Sequence, residues 1–375
     1  MWLAFVSGPS AQALAEPLVH RVSILAGADV SPRPFSGHGI GILEYDLGPL
    51  RRGAHFILGF NSDTLRIAVD RIRLGSRVEL GAELRGELFQ AGLLPDYWRD
   101  GARDAGRGLR ASYGSASTWV KVLAAPSYID VSATARRWIF TRTDETAQGF
   151  LAPPDAWVGE LRAHYTYWAL RGDPSLWEAH RLYPRVEGLA FGCELGLDLR
   201  SAAAPWGARD PRSFSPVDPR NDPAPVIASV RAWLRAGSRV SDRVRIQLVE
   251  SLVWMWGEDD LVRARIGGLN PYVIPLAGAP WASWLAGRLV AAEASLHVRT
   301  VAELELGLAI DGVVFDDPRR NGDSAASAQA GFALFADYRR GPLQADLRLG
   351  WSPTALPDHA AFGVFADVGW RWQTR

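Results

Sequence analysis

Residues 360–372, AAFGVFADVGWRW, put Phe362, Val364, Ala366, Val368, Trp370 and Trp372 on alternate positions, with Gly363, Phe365, Asp367, Gly369 and Arg371 filling the gaps. Side chains of a β-strand point alternately to opposite faces, so a period of two predicts a strand with one greasy face and one mixed face. The pattern recurs along the chain. In VELGAELRGELF, Val78, Leu80, Ala82, Leu84 and Leu88 oppose Glu79, Glu83, Arg85 and Glu87. In WVGELRAHYTYWAL, Leu161, Ala163, Tyr165 and Tyr167 oppose Glu160, Arg162, His164 and Thr166. In GLAFGCELGLDLR, Leu189, Phe191, Cys193, Leu195, Leu197 and Leu199 oppose Gly192, Glu194, Gly196, Asp198 and Arg200.

Sixteen strands are predicted: 20–30, 38–47, 54–61, 63–74, 77–91, 107–122, 127–141, 157–170, 187–200, 225–237, 241–256, 284–299, 301–315, 330–340, 342–351 and 360–373. Many run well past the five or six residues usual in globular sheets, and no helical period separates them. A soluble sandwich alternates too, but long repeated strands fit a membrane-spanning barrel better. In lipid every backbone N–H and C=O must be paired within the protein, so a sheet can span only by closing on itself. The expected fold is therefore all-β, a transmembrane antiparallel β-barrel of about sixteen strands occupying residues 20–375. Long links rich in Pro, Gly, Asp and Arg, such as 92–106, 201–224 and 257–283, follow odd-numbered strands, and tight turns such as Gly341-Pro342 follow most even ones. Outer-membrane barrels place long loops outside and short turns in the periplasm, which orients the chain. The link 171–186 is too long for this scheme.

Composition narrows the function. Formal net charge is zero, from 41 basic and 41 acidic residues, so the positive field of a nucleic-acid binder is missing. Cys193 is the sole cysteine and cannot form an internal disulfide, and no Cys/His set has zinc spacing. No cofactor is implied. No window approaches the roughly 18 consecutive apolar residues of a membrane helix. Sixteen tryptophans suit aromatic girdles at a lipid boundary. At the start, the apolar run Trp2 to Val6 and Ala13-Leu14-Ala15 before Glu16-Pro17 read as a shortened leader over residues 1–19.

The mixed faces gather Glu83, Arg85, Glu87, Glu160, Arg162, Glu194, Asp198, Arg231, Arg235, Arg243, Arg245, Glu293, Arg299, Glu303 and Glu305 in one lumen. Ion pairs across neighbouring strands are expected to stiffen the wall. A charge-lined pathway is the other reading, and its mixed signs argue against strong ion selectivity. Ser295 and His297 are a tempting hydrolytic pair, but residues two apart on a strand emerge roughly 6.5 to 7 Å apart, beyond hydrogen-bond reach. His164 also faces inward. The chain reads as a non-enzyme, with no catalytic residue. Cys193 is expected to face lipid. Trp370 and Trp372 read as a terminal assembly signal for the outer-membrane insertion machinery, as an interfacial belt, or both.

The run RIGGLNPYVIPLAGAPWASWLAGRLVAAEASLHVRTVAELELGLAIDGVVFDD, residues 265–316, resembles the barrel of the Omp85 (BamA/TamA-like) superfamily. In that family a Gly-rich loop between the eleventh and twelfth strands folds back into the lumen, a strand with an inward Glu and Arg follows, and the next ends in Phe-Asp. The resemblance implies Arg265, Gly267, Gly268 and Gly278 as lumen-loop residues, and Glu293, Arg299, Phe315 and Asp316 on the lumen wall. GFALFADYRRGPLQADLRLGWSP and AAFGVFADVGWRW resemble the last three strands, so the resemblance covers about 110 residues. Two departures stand out. The family's periplasmic POTRA domains, about 75 residues each, have no room before the first strand, which leaves client capture to a periplasmic partner or to nothing at all. The Arg-Gly-aromatic loop tip is also absent: Ala277 stands where the arginine that anchors the loop to lumen acids is expected, with Arg265 as its substitute. The implied function is translocation or insertion of protein or lipid at the bacterial outer membrane, across a weakly sealed seam between first and last strands. The alternatives are a porin-like solute diffusion channel and a structural anchor.

Overall fold

The structure, a computed structural model, describes residues 18–32, 35–62, 64–87, 98–99, 102–103, 109–144, 146–170, 187–208, 222–269, 274–280, 282–318, 324–355 and 360–374. Sixteen antiparallel strands close into one barrel. They are β1 Val19–Pro32, β2 Phe35–Gly48, β3 His55–Asn61, β4 Thr64–Leu74, β5 Val78–Glu87 and β6 Leu109–Ala124. There follow β7 Ser127–Arg142, β8 Ala156–Leu170, β9 Gly188–Arg200, β10 Val226–Arg239 and β11 Val244–Trp256. The ring is completed by β12 Arg288–Arg299, β13 Leu304–Pro318, β14 Ser324–Arg340, β15 Leu343–Ser352 and β16 Ala361–Thr374. Each expected strand is present. The link after β13 is shorter than expected because β13 and β14 extend further. The link 171–186 and most of the leader segment lie outside the described residues, and the ladder itself starts at Val19.

The seam corrects an expectation. β1 pairs with β16 in an unbroken register from His20 opposite Thr374 to Val30 opposite Val364, so the closure is not weakly sealed. The reason is solvent: an open edge facing hydrocarbon leaves backbone donors and acceptors unpaired at several kcal/mol each. The ladder is shorter at β3, a seven-residue strand that pairs with only Ile42–Leu47 of β2.

Alternation sorts side chains into two environments. Ile24, Leu43, Ile67, Leu84, Val131, Leu195, Val290 and Leu334 are exposed on the outer face. Cys193 is exposed there as well. Aromatic residues flank this band. Trp157, Trp254, Trp256, Trp351 and Phe362 lie toward the end bearing the long links, and Trp370 and Trp372 toward the short-turn end. Phe362 and Trp372 lie ten residues apart on β16; at about 3.3 Å per residue and a tilt of about 40° their separation along the axis is roughly 25 Å, the height of an outer-membrane apolar band. Inside, ion pairs cross neighbouring strands. Arg66 meets Glu83 at 2.6 Å, Arg162 meets Asp198 at 2.5 Å, Arg136 meets Glu160 at 3.1 Å and His164 meets Glu194 at 3.0 Å. The wall is laced by opposite charges, as the mixed faces predicted.

Candidate functional site

The link between β11 and β12 leaves the wall, forms a two-stranded ribbon of Ala264–Ile266 with Trp284–Ala286, and packs inside the barrel. Its local geometry depends on glycine. Gly267 and Gly278 adopt φ of +113° and +80°, which L side chains rarely reach. Ile266, Leu269, Leu276, Ala277 and Ala279 are fully buried, a degree of burial that only insertion into the lumen gives to a link.

Main-chain donors hold the loop to lumen carboxylates. Leu269 N donates to Asp29 Oδ2 on β1 at 2.8 Å, and Ala277 N donates to Asp311 Oδ2 on β13 at 3.0 Å. These bonds give two buried backbone N–H groups their acceptors. Arg265 sits on the ribbon opposite Leu285, and its carbonyl accepts from Ile274 N at 2.8 Å. The tip then nests on glycines: a Cβ at Gly331 would meet Ala277 O at 2.6 Å, and one at Gly363 would lie 3.5 Å from Gly278 Cα. At Gly350 a Cβ would run into Gly278 N. These three glycines lie on β14, β15 and β16, with Gly350 directly opposite Gly363.

A second latch closes the base of the loop. Arg200, ending β9, donates Nη1 and Nη2 to the two oxygens of the fully buried Asp259 at 2.8 and 3.0 Å, and Trp206 Nε1 donates to the same carboxylate at 2.8 Å. Beside it, between β7 and β10, a cavity of about 330 Å³ is lined by Arg136, Glu160, Arg162, Glu194, Asp198 and Arg231, among others. Among the described residues the loop packs against β1 and β13 to β16, and the mixed-charge cavity lies on the β7 to β10 side.

The expected wall residues divide. Glu293 is buried and faces Arg348 at 3.9 Å. Arg299 ends β12 opposite Glu305. Phe315 packs under the loop base against Trp284, ring centroids 6.0 Å apart. Asp316 is a correction: alternation turns it away from Phe315, and its carboxylate accepts from Arg288 N at 2.8 Å at the rim rather than lining the lumen. Gly268 belongs to the loop with φ of +88°, and Trp370 and Trp372 face outward opposite Ile24 and Val22. Asp29, Asp311, Asp259, Gly331 and Gly350 escaped the sequence reading, and Arg200 and Gly363 entered it only as positions on the mixed faces. The acidic pair Asp259-Asp260 at the loop's start was its one local signal.

Ser295 and His297 also depart from expectation. Ser295 Oγ and His297 Nε2 are 3.0 Å apart, and His297 Nδ1 lies 2.7 Å from Glu305 Oε1. The Cα spacing holds, but side chains of a strand lean along it, and an imidazole spans the remainder.

A sixteen-stranded closed barrel with an inward loop between its eleventh and twelfth strands is the architecture of the Omp85 barrel, so the resemblance read in the sequence holds at the level of fold. CdiB from Acinetobacter baumannii is similar at a TM-score of 0.60 and 8% identity, covering 94% of this chain and 60% of that one. BamA from Haemophilus ducreyi lacking POTRA domains 1–3 is similar at 0.60 and 13% identity, covering 95% of this chain and 70% of that one. CdiB from Escherichia coli is similar at 0.58 and 14% identity, covering 96% and 64%. This chain therefore spans about three fifths of the length of the two CdiB chains. No family model matches the chain, and no curated protein matches it.

Proposed function

We propose that this chain is an outer-membrane barrel that moves or inserts protein or lipid, with its lumen governed by the loop between β11 and β12. One observation carries the reading: a loop bonded through its backbone to Asp29 and Asp311 fills lumen space that a diffusion channel would leave open. Likeness of fold to CdiB and BamA supports the class, and an apolar belt flanked by aromatics supports residence in the outer membrane. Under this reading the barrel meets outer-membrane lipid on its outer face, the insertion machinery during biogenesis, and a periplasmic partner for client capture.

Planar-bilayer recording tests it. The expected trace is small and flickering, as a seated loop with a residual cavity gives. A large steady conductance assigns the chain to the solute channels instead. Deletion in the native host is expected to lower levels of other outer-membrane proteins or alter lipid composition, whereas a structural anchor changes neither.

A further inference from the structure

Ser295, His297 and Glu305 are buried on the lumen face of β12 and β13, and the bonds joining them have a chemical order. The Glu305 carboxylate accepts a hydrogen bond from His297 Nδ1–H at 2.7 Å, and in the neutral imidazole this leaves the Nε2 lone pair directed at Ser295 Oγ, 3.0 Å away. That is the tautomer in which an imidazole acts as general base toward a hydroxyl. Arg245 pairs with the same Glu305 oxygen and fixes the carboxylate. The His297 ring is further held against Phe335, centroids 4.6 Å apart. Hydrogen-bond satisfaction alone does not require serine, histidine and carboxylate to follow this sequence.

The surroundings supply the remaining parts. Gln247 on β11 lies directly opposite Ser295, and both are buried on the lumen face, so a carboxamide stands within cross-strand reach of an oxyanion formed at Ser295. On the other side Ser295 faces Ala309, and Ala309 faces Ala333. These two alanines belong to one apolar cluster with Leu25, Phe335 and Phe365, and the cluster's other members include Leu269 and Ala277 of the inserted loop. The loop's apolar side chains thus pack in a cluster whose Ala309 lies directly opposite Ser295.

We propose that Ser295, His297 and Glu305 form a hydrolytic site for acyl esters, with the lumen loop occupying the acyl slot until it moves. Ser295 Oγ attacks the ester carbonyl as its proton passes to His297 Nε2. The C–O bond to the alcohol breaks, and the alcohol leaves with that proton. Water, deprotonated by His297, then attacks the acyl-serine, releases the carboxylic acid and restores the Ser295 hydroxyl. Leu269 and Ala277 give way to the acyl chain, apolar for apolar.

The test uses the full chain folded in detergent micelles, with the mobility shift on heating as the check of folding. A fluorophosphonate probe and p-nitrophenyl butyrate are the reagents. Expected are probe adducts on Ser295 by mass spectrometry and ester hydrolysis, both lost in Ser295→Ala and reduced at least 100-fold in His297→Gln. Gly350→Val, which displaces the loop tip, is expected to raise the labelling rate. Where His297→Gln does not fold, the pH profile of the unaltered chain makes the same distinction: labelling that depends on a general base falls away in acid. Absence of a Ser295 adduct in both the unaltered chain and Gly350→Val overturns the proposal. So does labelling that is indifferent to His297 or to pH.

Discussion

At Gly350 the backbone of one strand touches the backbone of the inserted loop, and any Cβ there would collide with Gly278 N. The neighbouring Gly331 and Gly363 complete the seat on either side. Gly350→Val is therefore expected to unseat the tip rather than to be absorbed. Overpacking costs typically about 1–3 kcal/mol, and here the displaced element is a loop held by two backbone-to-carboxyl bonds. The expected outcome is a lower midpoint of thermal unfolding with a higher mean conductance in planar bilayers. An unchanged trace at a lower midpoint separates loop position from pore closure. Asp311→Ala attacks the same seat from the side of polarity. It leaves the Ala277 N–H buried without its acceptor, a loss of about 1–3 kcal/mol, checked by denaturant unfolding in detergent.

A strand is where a misfit of environment shows best. β11 carries Ile246, Trp254 and Trp256 exposed on its outer face, and Glu250 shares that face at the middle of the strand. Its register partners are Leu234 and Ala292. A carboxylate at the middle of an apolar band is unfavourable, though less so than the about 2–4 kcal/mol found for a lipid-facing Arg or Lys. Glu250→Leu is accordingly expected to raise barrel stability by about 1 kcal/mol in lipid vesicles, read as a shift in the urea midpoint. A destabilised variant shows that this face of β11 does not meet hydrocarbon. The adjoining strand β12 carries the opposite arrangement. Its inward positions Glu293, Ser295 and His297 are buried and polar, while Val290 and Val298 face out.

For the whole molecule the question is which opening a client or solute takes. The ladder between β1 and β16 is continuous, with Ala26 opposite Val368. Directly opposed antiparallel residues have Cα separations that a disulfide can bridge, so Ala26→Cys with Val368→Cys is expected to form one. The native Cys193 lies on β9 and faces outward, away from this seam. Oxidation of the pair is expected to leave outer-membrane protein levels at those of the unaltered chain, because the seam is sealed along its length. A defect that reduction reverses assigns the route to that seam. Replacing residues 258–287 with a short Gly-Ser turn is expected to keep the ring closed, since no wall strand is lost, and to convert the small conductance into a large steady one.

The alternation of Phe362 through Trp372, repeated sixteen times, was enough to fix the faces, the strand number and the need for closure, because a period of two is local and lipid permits no open edge. The insertion of the loop was legible only as what the family resemblance implied, carried by its glycines and its place between the eleventh and twelfth strands. Its anchors were not. Leu269 bonds to Asp29 across a sequence separation of 240 residues, and the seat for Gly278 is assembled from glycines on three strands. Such contacts depend on the ring being closed and on the stagger between strands, which no single segment encodes. Ser295 and His297 give the sharpest contrast. Their spacing was visible and argued for separation, while the pairing of Arg299 with Glu305 between β12 and β13 set the register that brings the carboxylate to the imidazole. Pattern along a strand decides which solvent each side chain meets. Register across strands decides which side chains meet each other.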